Sequence, residues 1–502
     1  MYSRLIEILT NINKPNILVI GDLMLDKYVW GEVKRISPEA PIPILSVTSE
    51  DTRPGGAGCV IANLCHMGAK VHCAGTIGAD AEGRQLLNQF VKLGVETSGI
   101  FEDTERPTTV KVRLLGHLQT AGRGIQQLLR VDYEKTNPIP INIEKKIIQY
   151  LNERIPQLNV VLVSDMNKGL LSERILKTIV SLGKRHSIPV IVDPKLGEDY
   201  TCYAGATAIT PNRHETELAT GVALTGQESL KTAGKKLVEE LGLQCAVITI
   251  DKDGVFLYRD DENYSLISTV PKEVSDVTGA GDVVLSVLGL VTASGYSLED
   301  AAAIANVAAG IEVGKIGATP VSISEILKEL TDREQPFAHK ILDIRELTEH
   351  LNQCRMKRQK VVFTNGCFDI LHVGHIEYLK FSHRQGDVLV VGLNTDKSVR
   401  ELKGSNRPVV PEHERARLLA ALEDVDYVIL FDEQTPDELI KKVKPDVLVK
   451  GEDWRDKGVV GSEFVQSYGG KVVLAPLVKG VSTSNILSRI LNNQSNPGSH
   501  HR

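Results

Sequence analysis

Two short stretches of this chain carry residues whose types and spacing suit phosphate chemistry. The first is Asp276-Val277-Thr278-Gly279-Ala280-Gly281-Asp282, followed at once by the apolar run VVLSVLGLVTAS. Gly279, Ala280 and Gly281 are small enough to let the backbone approach a phosphate. A helix starting there aims unpaired N–H groups and the positive end of its dipole at the transferring group. Asp282 stands at the mouth of this anion hole, where a carboxylate can take the proton of an attacking sugar hydroxyl. A plainer reading fits the same letters: a tight strand-to-helix turn with an aspartate near the helix start. The second stretch runs from Thr364 through Asn365-Gly366-Cys367-Phe368-Asp369 to His372-Val373-Gly374-His375. Two imidazoles so spaced can both face phosphates, donating to an α-phosphate as it becomes pentavalent and to the departing pyrophosphate. The pair lacks the i, i+4 spacing and the glutamate of a zinc hydrolase helix, so phosphate is the better ligand.

These stretches need scaffolds, and the hydrophobic pattern supplies two. The runs NILVIGD, NVVLVSD, PVIVDP and CAVITID read as buried parallel strands, and SERILKTIVSLGKRH and ESLKTAGKKLVEELG between them read as helices. Such alternation means α/β with a parallel sheet. It stops near Leu330 at the polar TDREQPFAHK, and a helical pattern from Ile341 to Lys357 leads into KVVFTNG. The strands DVLVVGLN, DYVILF, DVLVKGED and KVVLAPL then follow at βαβ spacing, with NILSRILNN as a last helix. The expected organisation is therefore a first domain over 1–330, a linker and connecting helix over 331–357, and a second α/β domain over 358–502.

Composition narrows the partners. The 502 residues are 42% apolar and 24% charged with a formal net charge of -6, which argues against a nucleic-acid wrapper or a polybasic membrane binder. No run of about 18 apolar residues is present, and Arg4 and Glu7 interrupt the N-terminus, so a cytoplasmic location is expected. Seven cysteines without a CxxC pair suit reduced thiols, and Cys65-His66 with His72-Cys73 lacks the paired-knuckle spacing of a zinc site.

With these residues in view, the first 330 positions resemble the ribokinase-like sugar kinases. Gly21-Asp22 with Asp26, the Arg53-Pro54-Gly55-Gly56-Ala57-Gly58 turn, Asn212-xx-Glu215 and DVTGAGD come in that family's order. The resemblance implies a three-layer fold in which Asp26, Gly55 and Gly56 hold sugar hydroxyls. Asn212 and Glu215 would organise Mg²⁺ and phosphate, and Thr249, Gly254 and Asn306 would lie around ATP. Mg²⁺ would arrive with ATP rather than on a dedicated set of protein ligands, and a monovalent cation would fit the same domain. One departure stands out: where the family usually has an asparagine, this chain has Cys59, a poor hydrogen-bond partner. Asn63 is the residue placed to compensate. Lys111, Arg113, Arg130, Lys168 and Lys195 read as strand ends or adjoining turns. In a doubly wound sheet that placement lets them converge on a substrate phosphate, although some will be solvated charges.

The second half resembles the cytidylyltransferase-like superfamily, a Rossmann-like HxGH fold that also takes ATP with Mg²⁺. It implies nucleotide contacts from Thr364, Gly366, Phe368 and Lys450, with Lys403 and Arg415 as triphosphate or fold-organising cations. Ser482, Thr483 and Ser484 would bind phosphates, cap the last helix, or both. The order of the halves, together with RISPEAPIPI, LKGSNRPV and VKGED, resembles the bacterial family of bifunctional heptose 7-phosphate kinases and heptose 1-phosphate adenylyltransferases. That family resemblance implies sugar phosphates and ATP as partners, a homodimer, and a separate phosphatase acting between the two steps. Two other readings fit the same motifs: a CTP-using second domain acting on another sugar or polyol phosphate, and a ligand sensor with one dead site.

Overall fold

A computed structural model describes residues 2–118, 125–269, 279–315, 317, 319–334, 336–476, 483 and 486. The chain divides into two compact units, 1–331 and 332–502.

The first unit is built on a nine-stranded sheet of order β13-β12-β11-β10-β9-β8-β1-β4-β5. Its strands are β1 (Asn16–Gly21), β4 (Lys70–Gly78), β5 (Glu96–Asp103), β8 (Val160–Ser164), β9 (Val190–Asp193), β10 (Ala208–Ile209), β11 (Cys245–Thr249), β12 (Val255–Tyr258) and β13 (Tyr264–Ile267). Pairing is parallel from β5 to β11 and antiparallel over β11-β12-β13. The apolar run of β1 is buried on both sides because successive side chains alternate faces: Ile17 and Val19 join one core, Leu18 and Ile20 the other. Helices cover both faces, giving three layers. The helix read from SERILKTIVSLGKRH spans Glu173–His186, capped by Ser172, whose side chain accepts from Ile175 N–H, and ended by left-handed Ser187.

The periodicity did not separate out a second, mixed sheet of order β3-β2-β6-β7, formed by β2 (Leu23–Ile36), β3 (Pro43–Gly56), β6 (Thr109–Leu118) and β7 (Ile125–Tyr133). This corrects one expectation. Lys111, Arg113 and Arg130 are not at the ends of doubly wound strands; they stand in mid-strand on β6 and β7. Only Lys168 and Lys195 follow strands of the main sheet, β8 and β9. Half-buried strands that alternate polar and apolar residues carry no label saying which sheet they join.

The second unit has a five-stranded parallel sheet of order β16-β15-β14-β17-β18, from β14 (Val361–Gly366), β15 (Val388–Asn394), β16 (Tyr427–Phe431), β17 (Val447–Gly451) and β18 (Lys471–Ala475). The order in which strands are added reverses between β14 and β17, the switch point where such sheets leave a crevice. The helix Ile344–Met356 opens with a reciprocal Asp343/Glu346 capping box and buries Leu347 and Leu351 in this unit's core. No helix among the described residues is long and apolar enough to cross a membrane.

Gly254 shows how tightly the β11–β12 connection is drawn. Its φ is +112°, and a Cβ there would sit 2.0 Å from Ile267 O. Gly254→Ala should therefore destabilise the first unit by about 1–3 kcal/mol or more. A lowered first transition in scanning calorimetry checks this, and an unchanged one would contradict the described turn.

Candidate functional site

In the first unit the β1–β8 switch point is fastened by Asp22, which accepts the Met166 and Lys168 N–H groups at 3.0 Å each. Burial raises its carboxyl to about 6, against those same hydrogen bonds. Beside it the sugar-side candidates assemble. Gly55 pairs with Met24 beside Asp26, and a Cβ on Gly55 would lie 2.7 Å from the Asp26 carboxylate, so only glycine admits that approach. Gly56 takes φ +55° to open the helix Ala57–His66. Asp26 ion-pairs with Arg113 at 2.7 Å, and the Arg113 and Arg53 guanidinium groups both lie over the Tyr28 ring. Arg113 thus orients Asp26 besides adding charge.

Lys111 stands opposite Asp26 across β2 and β6. Burial pulls its ammonium below the usual range, Asp26 opposes, and Arg130, Lys168 and Arg113 press it lower. These mutual effects place four cations together. Lys168 is paired with Glu134 at 2.8 Å, and Arg130 grips Asp132 through two hydrogen bonds. Lys195 is half-buried, with its backbone N–H on the Tyr203 hydroxyl.

Gly279, at φ +99°, caps the helix Ala280–Ala293, whose first turn carries Gly281 and Asp282. Nothing lies within 4 Å of where a Gly281 Cβ would be, so the approach to the helix start is open. Asp276, Val277 and Thr278 lie outside the described residues. The Asp282 carboxyl is raised to about 7, chiefly by burial; the Cys59 thiol and Lys111 lower it and Asp26 raises it. A base poised near neutrality suits proton abstraction. Asp193, which the motif reading did not single out, lies close enough for its buried carboxyl to be pushed up by Asp282 and then Glu215. Its signal was present in PVIVDP, an acid at the carboxyl end of a parallel strand.

Asn212 and Glu215 form a reciprocal capping box, and Asn212 bridges to Thr249 on the adjacent strand. Asn306 donates to Ile267 O and Ser268 O and accepts from the Thr269 hydroxyl. One expectation is corrected here. Asn63 does not replace the missing sugar contact: its amide binds Cys59 O and Val321 N–H within the fold.

In the second unit, β14 ends at Gly366 and the chain crosses Phe368, held at φ +43°, to the helix Val373–His383, which starts after His372. The His372 and His375 rings stack with centroids 3.8 Å apart, and each Nδ1 is buried without a protein partner. Burial, then His372 and Lys403, lowers His375 to about 4, so it is a neutral donor at physiological pH. Lys403, at the end of the helix Asp396–Lys403, thereby belongs to the same site. Lys450, at the carboxyl end of β17, directs Nζ to Asn365 O at 3.4 Å and lies over Trp454; burial lowers it to about 8 against Asp453.

Thr364 is fully buried, its hydroxyl 2.6 Å from Tyr378 Oη, so it supports the site rather than lining it. Arg415 is corrected in the same sense. It is 0% exposed and spends its guanidinium on Val410 O, Cys367 O, Asn394 O and Asp396, which leaves the fold-organising role and removes the phosphate one. Asp369 was also missed: it accepts from Val409 N–H, Val410 N–H and Arg407, pinning the 407–410 segment to the HxGH loop. Thr483 is helical, while Ser482 and Ser484 lie outside the described residues.

A doubly wound unit with an aspartate at a helix start, joined to a parallel-sheet unit with an HxGH helix start, defines a sugar kinase coupled to a nucleotidyltransferase. Residues 14–325 match the pfkB family of carbohydrate kinases and 363–486 match the cytidylyltransferase-like family, and the chain belongs to the pfkB family. It is similar over nearly its whole length to the Bifunctional protein HldE of Geobacter metallireducens, at 47% identity over 95% of this chain and 96% of that one. The Bifunctional protein HldE of Helicobacter hepaticus is 44% identical over 95% and 96%. The fold of the first unit is shared with phosphofructokinase-2 from Escherichia coli, at TM-score 0.53, 18% identity, 63% of this chain and 98% of that one.

Two outcomes test the second site. Lys450 carries its charge below about pH 8 and loses it above, so nucleotidyl transfer should fall as pH rises through 8, and Lys450→Gln should flatten that limb. Arg415→Ala should lower the second unit's stability by about 3 kcal/mol, because carbonyls and Asp396 lose a buried partner; urea unfolding followed at Trp454 measures it.

Proposed function

We propose that the chain carries out two steps of ADP-heptose formation. The kinase unit phosphorylates the anomeric hydroxyl of D-glycero-D-manno-heptose 7-phosphate, and the second unit joins heptose 1-phosphate to AMP from ATP with release of pyrophosphate. The observation that carries the sugar-phosphate reading is the cation group on the second sheet. Arg113 and Arg130 face each other directly across β6 and β7, next to Lys111; with Asp26 paired to Arg113 and Asp132 to Arg130, Lys111 is the cation of this group left to meet a further anion. A substrate phosphate is such an anion, with Lys168 and Lys195 approaching from the main sheet.

In the kinase step Asp282 takes the proton of the anomeric hydroxyl, whose oxygen attacks the γ-phosphorus as ADP leaves. Amides at Gly279, Ala280 and Gly281 meet the charge on the transferring oxygens. Asp193 and Glu215 are hard oxygen donors that would face the water shell of a Mg²⁺ arriving with ATP, an ion that would offset phosphate charge when bound. In the second step the sugar phosphate is the nucleophile. His372 and His375 donate to the α-phosphate and the leaving pyrophosphate, Lys403 and Lys450 offset its charge, and no covalent intermediate is required.

The kinase product carries phosphates at both ends, so a separate phosphatase acts between the steps. The seven free thiols suit a cytoplasmic enzyme. Exposed Ile36, Val47, Leu129 and Tyr133 on the second sheet are the apolar surface a homodimer would cover.

Phosphorus NMR of the full chain with MgATP tests the assignment. Heptose 7-phosphate should give the 1,7-bisphosphate, and heptose 1-phosphate should give ADP-heptose in preference to a CDP product. Asp282→Asn should slow the first reaction by about 10²–10⁴ and spare the second, and His375→Ala should do the reverse. A fully active Asp282→Asn kinase, or a preference for CTP, would overturn the corresponding half.

A further inference from the structure

The segment that follows β9 carries Lys195 on little support of its own. Leu196 is 55% exposed, and a Cβ on Gly197 would meet nothing within 4 Å. Among the described residues a single hydrogen bond reaches the backbone of 194–198: Lys195 N–H donates to the Tyr203 hydroxyl at 3.2 Å. The Lys195 ammonium makes no ion pair among the described residues, whereas Lys168 is paired with Glu134 and Arg113 with Asp26. A lysine charge rides on a flexible four-carbon stem, so where it can reach is set by where its backbone is held.

That anchor is built from the core outward. Tyr203 is 0% exposed, in the short 3₁₀ turn Thr201–Tyr203, with its ring edge-on to Tyr200 at 5.6 Å. The turn is fastened just beyond by Gly205 N–H on Leu241 O at 2.7 Å. The Tyr203 hydroxyl donates to Asp165 Oδ2 at 2.7 Å. Asp165 follows β8; its Oδ1 accepts Asn167 N–H at 2.9 Å, and its own N–H donates to Asp193 O at 3.0 Å. Asn167, at φ +56°, turns the chain into Lys168, whose N–H is on Asp22. One phenol oxygen therefore ties the loop bearing Lys168 to the loop bearing Lys195. A phenylalanine would fill nearly the same volume, so packing alone does not call for that oxygen; what it adds is two directional bonds. Burial and the Asp165 carboxylate push the phenol well above its ordinary range, so it keeps the proton it donates.

We infer that Tyr203 is a positioning residue of the kinase site: its hydroxyl, seated on Asp165, holds the Lys195 backbone so that the Lys195 ammonium meets the substrate phosphate beside Lys168. The inference rests on the kinase reading above in naming that phosphate.

Kinetics of heptose 7-phosphate phosphorylation by the full-length chain test it first. Lys195→Ala removes a charge-assisted contact and should raise sugar-phosphate KM by roughly tenfold to a hundredfold. Tyr203→Phe, which only loosens that contact, should raise it about fivefold to twentyfold, with kcat and ATP KM within about twofold. In the Lys195→Ala background Tyr203→Phe should add less than about twofold, because its effect runs through that lysine. A fully additive double variant, a rise confined to ATP KM, or a general loss of kcat would each overturn the inference. If Tyr203→Phe does not fold, Asp165→Asn serves in its place. An amide offers one acceptor oxygen to the two donors Tyr203 O–H and Asn167 N–H, so it weakens the same link and should give the same selective rise.

A second measurement needs no substrate. Hydrogen exchange at the Lys195 amide, read by fragment-resolved mass spectrometry, should quicken severalfold in Tyr203→Phe while β8 and β9 keep their protection. Equal exchange in the two proteins would overturn the contact. If the parent chain leaves heptose 7-phosphate untouched, the functional reading fails, while the exchange result still decides whether Tyr203 holds Lys195.

Discussion

In each half of this molecule an ionisable group is held out of water where the backbone turns from a parallel strand or its connecting loop into a helix, and most of the surrounding polar structure serves to keep it there. Asp282 is raised to about 7 and His375 lowered to about 4, both chiefly by burial. Burial alone would neutralise such groups and leave them inert. What makes them useful is the helix start at each, which supplies unpaired N–H groups and a positive dipole end for the anion that the chemistry brings. The same physical arrangement therefore occurs twice, with a buried carboxylate in one unit and a pair of buried imidazoles in the other.

Around these centres polar side chains divide into those that face the cleft and those consumed in holding it. Asn63, Asn306, Thr364 and Arg415 look from their types like ligands. Each has its hydrogen-bonding capacity taken up by backbone or neighbouring side chains. A buried polar group without a partner costs on the order of 1–3 kcal/mol, so a cleft rich in unpartnered atoms needs a rigid frame to persist. Among the buried side-chain atoms without a protein partner, Asp282 Oδ1, Asn365 Oδ1 and Nδ1 of both histidines belong to the two candidate sites. The second sheet contributes differently. It places cations in mid-strand rather than at a strand end, with Arg113 steadied by Asp26 and Tyr28.

The sequence by itself determined the two α/β units, their order, and the two phosphate cradles, because runs buried on both faces, helix caps and small-residue turns are local features that few alternatives satisfy. NILVIGD and KVVFTNG could hardly be anything but central strands, and the HxGH spacing fixed which side chains a helix start presents. Only the tertiary structure decided what depends on which segments meet. It separated β2, β3, β6 and β7 into their own sheet, since half-buried strands name no partner. It brought Asp193 close to both Asp282 and Glu215. It also turned Arg415 from a candidate phosphate ligand into a buried strut. An arginine reads the same in one dimension whether its donors face solvent or four acceptors from other segments, and that distinction is made by packing.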